Sequence, residues 1–174
     1  MSRPVSSFVA LLLALAAPAA VRAAPPQLFL PDRNATSTAR IILPAQITKL
    51  NDMDFGFVTV TTAGTAILDS NTGNVTTTGG VVFAGGLPHA ATFSAVSPSK
   101  TVVHIRLPKK AVTLTRSGGT ETMTVDTWTM NGNETRNVVA HETFAFAIGA
   151  TLHVGTNQAE GTYTGTFDVT IDYN

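Results

Sequence analysis

Four histidines, His89, His104, His141 and His153, and the carboxylates Asp52 and Asp54 are the side chains best suited to hold a metal or move a proton. Neither set has the spacing for it. A metal site needs ligands gathered at short regular intervals, such as two on one helical face, and these histidines are scattered. Asp52 and Asp54 share one short turn and supply too few oxygens for a calcium loop. They suit solvated turn positions or a cap on the adjoining backbone. Ser97, Ser99 and Ser117 lack the Gly-x-Ser-x-Gly context of an activated nucleophile. With no cysteine in the chain, there is no thiolate either. Trp128, the sole tryptophan, could stack on a sugar or sit in the core or at the edge of a strand. Asn34, Asn74 and Asn133 lie in Asn-x-Thr triplets that a threonine-rich chain produces by chance. The sequence thus predicts no catalytic, cofactor-binding or metal-binding residues, and no enzyme.

The elements that carry these residues are strands. Segments 47–50, 64–68, 75–83, 91–96, 101–107, 111–115, 122–130 and 143–154 read as β-structure, separated by turn chemistry such as Asp69-Ser70-Asn71-Thr72-Gly73-Asn74. Gly56 suits a bend or bulge. Gly118-Gly119 reads as a turn and Asn131-Gly132 as a hairpin. In 143–154, Phe144, Phe146 and Ile148 and then Leu152 and Val154 are apolar, with Gly149 as the expected bulge. No amphipathic helix of useful length is legible. Many short strands at this spacing predict an all-β sandwich or barrel.

Composition narrows the setting. Eleven basic residues balance eleven acidic ones, which leaves no basic field for nucleic acid. Charged residues make up 13% of the chain, and its many threonines, glycines and valines suit weakly charged, hydroxyl-rich outer faces. Arg3 precedes the apolar run 8–17, and Val21-Arg22-Ala23 offers small residues at cleavage positions, the pattern of a secretory signal peptide over 1–23. That run is shorter than the ~20 residues of a membrane span. Export is therefore expected, with no membrane span in the mature chain. Pro25, Pro26 and Pro31 suggest an extended leader within an N-terminal extension over 24–45. Segment 46–174 forms the expected β-sandwich domain.

The last segment, GTYTGTFDVTIDYN, alternates strictly. Tyr163, Phe167, Val169, Ile171 and Tyr173 share one face with Gly165, and threonines and aspartates occupy the other. It reads as one half-buried strand, the second arm of a closing hairpin with 143–154. Its unpaired flank is a liability, because an apolar edge recruits other chains. In the extension, Ala35, Ser37, Ala39, Ile41 and Leu43 also fall on one face of a possible strand, ended by Pro44.

Gly161, fourteenth from the C-terminus, and the penultimate Tyr173 together resemble the C-terminal signature of pilus subunits assembled by chaperone and usher. The segments ITKLNDMDFG (47–56), TMTVDTW (122–128) and 150–174 resemble the bacterial secreted family catalogued as domain of unknown function 4402. That family is similar to spore coat protein U and Mat/Ecp-type fimbrial subunits. Many pilins carry a disulfide, and this chain cannot.

The resemblance implies an immunoglobulin-like sandwich lacking its final strand and a structural role in a fimbria-like surface polymer. A periplasmic chaperone and an outer-membrane usher would be partners. Gly161, Tyr163, Phe167, Val169, Ile171, Tyr173 and Asn174 would form the groove and chaperone-recognition strand, with the terminal carboxylate at Asn174. Ala35, Ser37, Ala39, Ile41 and Leu43 would be the donor strand entering a neighbour's groove, the mode called donor-strand complementation. Giving one strand and accepting one makes the self-association head-to-tail. Two other arrangements stay open at this level. The 35–43 segment could complete its own domain, or the protein could be a monomeric surface binding module, for carbohydrate or adhesion, on the same sandwich.

Overall fold

The computed structural model describes residues 46–173, and within them every regular element is a strand. The large sheet contains β1 (Gln46–Asn51), β4 (Ala91–Val96), β9 (Thr143–Val154), β7 (Thr122–Met130), β6 (Val112–Arg116) and β10 (Tyr163–Thr164) in that spatial order. β2 (Phe57–Leu68) joins it by pairing with β9, and β3 (Val75–Gly85) pairs with β2. The small sheet runs β11 (Thr170–Tyr173), β5 (Thr101–Arg106), β8 (Thr135–Val138). The expectation of an all-β sandwich is met: the two sheets pack face to face, consistent with an immunoglobulin-like arrangement.

Alternation explains which faces are inside. In β4, Ala91, Phe93 and Ala95 are buried while Thr92, Ser94 and Val96 are not, the signature of a strand with one wet face. β9 is buried continuously from Phe146 to Leu152, because it is flanked by β4 and β2 on one side and by β7 on the other. Its even-numbered face serves two cores. Phe146 and Ile148 join Ala91, Phe93, Ala95, Val103, Ile105 and Val138, and Ala150, Leu152 and Val154 join Ala66, Val81 and Val125.

The layers run in step. Phe93 on β4 meets Phe167, just ahead of β11, at 6.5 Å between ring centroids. At the other side of the small sheet, the Arg136 guanidinium on β8 donates to Asn131 O, just past β7, at 2.7 Å. Phe167 meets Trp128 on β7 as well, at 4.7 Å between ring centroids, so the segment ahead of β11 packs against both β4 and β7. The large sheet continues outward to β1, whereas beyond β11 the small sheet holds no further strand among the described residues.

Several expected pairings differ. The closing hairpin is not formed: β9 pairs with β2, β4 and β7, and the terminal segment pairs elsewhere. Nor is that segment one strand. Tyr163 and Thr164 pair with β6 in the large sheet, and Thr170 to Tyr173 pair with β5 in the small one. Gly165 marks the crossing, since a Cβ there would stand 2.6 Å from Thr113 O. Asn131-Gly132 does turn the chain, with Gly132 at φ 76°, but it carries it from one sheet to the other instead of closing a hairpin. The bulge expected at Gly149 lies in the facing strand, where β7 has an extra residue between Asp126 and Thr129 and Thr127 takes φ 49°. Gly149 marks the place where β9 changes neighbours, from β4 at Ile148 to β2 at Thr151. The Gly118-Gly119 turn joins β6 to β7 as an antiparallel pair, as expected.

Candidate functional site

Among the described residues the small sheet has an open seam at its β11 edge, and the large sheet ends at β1. On β11, Thr170, Ile171, Asp172 and Tyr173 face Arg106, Ile105, His104 and Val103 of β5 in antiparallel register. Asp172 forms an ion pair with Arg106 on the outer face. Ile171 and Tyr173 point the other way, onto the first core, and both are half-buried. Phe167 and Val169, outside any strand, pack on the same core. Phe167 also meets Trp128 at 4.7 Å between ring centroids.

On the opposite layer, β1 is exposed along its whole length. Ile47 stands opposite Ala95 in the β1–β4 ladder, and paired residues share a face, so Ile47 lies on the core side. Yet Ile47 is 40% exposed while Ala95 is 1% exposed. Lys49, opposite Phe93, falls on the same side, so this face of β1 is wet and Ile47 is its one apolar group.

One polar atom is out of balance here. The Tyr173 hydroxyl is buried and has no hydrogen-bond partner among the described residues. Burial alone pushes its phenol above the ordinary tyrosine range, since losing water disfavours the phenolate.

Other residues singled out from the sequence fall away from this seam. Gly161 sits at φ 148° against Arg116, where a Cβ would come within 2.9 Å of Cδ. Tyr163 belongs to the large sheet; its hydroxyl donates to Ala159 O and accepts from Gln158 Nε2, both at 2.7 Å. Asn174, the donor-strand residues Ala35, Ser37, Ala39, Ile41 and Leu43, and the signal segment 1–23 lie outside the described residues.

The candidate chemical groups are absorbed structurally. His89 and Asp54 exchange backbone hydrogen bonds at 2.9 Å, and the Asp54 carboxylate accepts the Gly56 N–H at 2.7 Å. Asp52 pairs with Lys49. His104 Nδ1 meets Thr135 Oγ1 at 3.0 Å, and His153 Nε2 lies 2.8 Å from Asp126, whose carboxyl is lowered chiefly by that contact. His141 occupies a turn at φ 62°. Ser97 is buried and donates its hydroxyl to Ser99 O. Among the described residues no group of three or more His, Asp or Glu is placed to hold a metal, and no helix is long and apolar enough to cross a membrane.

Sequence reading missed two features. Ile47 looked like any strand residue, because only the cross-layer geometry exposes it. Arg136 also went unnoticed: its guanidinium donates to Asn133 O, Ala145 O and Asn131 O and lies 5.9 Å from the Phe144 and Phe146 ring centroids. It borders an open polar cleft with Asn71, Asn133 and Asn137. Nothing about an isolated arginine in a strand announces three carbonyl partners.

No curated protein and no solved structure matches the chain. A family model described as Domain of unknown function (DUF4402) covers residues 45–173, which is most of the chain, and the protein therefore belongs to that family.

Proposed function

We propose that this protein is an exported structural subunit of a fimbria-like surface polymer, assembled by donor-strand complementation and without catalytic activity. The observation that carries the reading is the seam: β11 has a single ladder partner among the described strands, and its core-facing Ile171 and Tyr173 stay half-buried. A strand inserted next to β11 would complete the ladder and cover that face together. The 35–43 segment of a second copy is the occupant, its odd-numbered residues supplying the knobs. Burying the larger of these contributes roughly 1.5–3 kcal/mol each, and each added hydrogen bond about 0.5–1.5 kcal/mol. Before assembly, a periplasmic chaperone would cover the seam and an outer-membrane usher would direct the exchange, in keeping with the pilin-like C-terminal signature.

A second reading, a monomeric binding module for carbohydrate or adhesion, is favoured by one observation, the open cleft lined by Asn71, Asn133, Asn137 and Arg136. Amides and a guanidinium suit hydroxyl-rich ligands, but no aromatic platform lines the cleft.

Gel filtration and electron microscopy of the mature protein, against a version starting at Ala45, separate the two. Polymers from the full chain, and a truncated form rescued by an added 35–43 peptide, support the subunit reading. Two stable monomers would leave the binding module as the better account.

A further inference from the structure

Among the described residues Arg136 is a charge without a counter-charge, since no carboxylate lies within ion-pair distance of it. A guanidinium has five N–H donors. Here three of them reach Asn133 O at 3.0 Å, Ala145 O at 2.9 Å and Asn131 O at 2.7 Å. Nε is thereby satisfied, and one N–H on each terminal nitrogen has no acceptor among the described residues. Burial holds the group below the ordinary arginine range, with no neighbouring charge to offset the loss of water. A partly buried charge is costly until it is paired, and carbonyl dipoles only share it.

The same guanidinium borders the open cleft of about 620 Å³, in which it is the only charged residue. Gly132 keeps it reachable from there. A Cβ on Gly132 would meet Arg136 alone, at 3.2 Å from Nη2 and 3.8 Å from Cζ. An oxygen occupying that point would be within reach of a charged donor. The side-chain amides of Asn71 and Asn133, also lining the cleft, are exposed and unpaired among the described residues.

We propose that this cleft takes a sugar acid, its carboxylate on Arg136 Nη2 beside Gly132 and its hydroxyls on the amides of Asn71 and Asn133. The proposal rests on the binding-module reading of the cleft, narrows its ligand, and is compatible with a subunit that also polymerises. One guanidinium with no second cation calls for a single negative charge, which a carboxylate carries and a phosphate dianion exceeds. Amides both donate and accept, as hydroxyls do, so the two match. Where no aromatic residue is present to stack on a sugar ring, polar contacts must hold it, and the charge-assisted one is the strongest of them.

Saturation-transfer NMR on the full mature chain tests this, because it reads weak ligands on monomer and polymer alike. Glucuronate should bind on the order of tenfold more tightly than glucose or acetate, about the worth of one charge-assisted hydrogen bond. Added salt should weaken it. Gly132→Ala fills the space beside Nη2 without removing any of the three carbonyls, and should abolish the preference for the acid. Asn71→Ala combined with Asn133→Ala should weaken glucuronate to the level of acetate, and urea titration checks that each variant is folded. Glucose bound as tightly as glucuronate, and lost in the double amide variant, would overturn the acid and leave the cleft a binding site. Acetate bound as tightly as glucuronate would overturn the sugar. Glucuronate bound equally by every folded variant would overturn the site. Binding of none of the three would overturn both this proposal and the binding-module reading of the cleft, and leave the polymer reading standing.

Discussion

Phe93 and Phe167 meet edge to face, with an interplanar angle of 75°, across the two layers of the sandwich. Together with the closer contact between Phe167 and Trp128 of β7, this meeting seats the segment ahead of β11 on the first core. It also makes Phe167 an anchor of the terminal segment, although that residue is in no strand. Phe167→Ala should lower the free energy of unfolding by about 3 kcal/mol, the low end for a large aromatic because the ring is only half-buried. Truncating the 71%-exposed Phe57 should change stability by no more than about 0.5 kcal/mol. Urea titration of the two variants makes the comparison.

Gly149 is needed for its lack of a side chain. A Cβ there would stand 2.2 Å from Leu68 O and 2.8 Å from Ser70 N, both backbone atoms that cannot swing aside. Gly149→Ala should cost about 3 kcal/mol or more. A urea midpoint unchanged from the native protein would show that the end of β2 yields more easily than this geometry implies.

Arg136 spans β8 and the β7 end of the large sheet through three carbonyls on separate residues. A lysine keeps the charge but has one nitrogen and no planar fork. Arg136→Lys should therefore destabilise by about 2 kcal/mol, given the strength of hydrogen bonds from a charged donor. Thermal unfolding monitored through Trp128 reports it.

Glu121 closes the β6–β7 turn against Arg116, with Arg116 Nε 2.7 Å from Oε2. The side-chain hydrogen bonds from Arg116, helped by Glu121's own N–H and that of Thr120, hold its carboxyl down from 4.5 to about 2. The folded state thus binds this proton less tightly than the unfolded state. The stability Glu121 contributes is complete above 4.5 and is lost as pH falls towards 2. Across that window the urea midpoint of the native protein should fall more steeply than that of Glu121→Gln. Parallel slopes would mean the pair is not maintained in solution.

Local reading recovered the strands well where alternation or length was strong. β4, β7 and β9 begin and end where periodicity and turn residues placed them. It failed where the question was which strand meets which. Asn131-Gly132 has hairpin chemistry, and Gly132 does take a positive φ, but a turn specifies only that the chain reverses. The destination of β8 was settled by its ladder with β5, from Thr101 opposite Val138 to His104 opposite Thr135, partners distant in sequence. The terminal segment alternates without interruption, yet its two halves pair in different sheets. Alternation reports one buried face and is silent on which layer buries it.

From sequence alone came the all-β class, the absence of cysteine chemistry, the apolar face of the last segment and the conspicuous Tyr173. Those properties are written in short-range periodicity and residue type, which need no neighbour to be read. Only the tertiary structure decided that Tyr163 leaves that face for the large sheet, that Ile47 on β1 stands half-open on the core side, and that the Tyr173 hydroxyl is buried without a partner among the described residues. Burial and hydrogen-bond satisfaction depend on what the other layer brings into contact. No single strand can state that in its own residues.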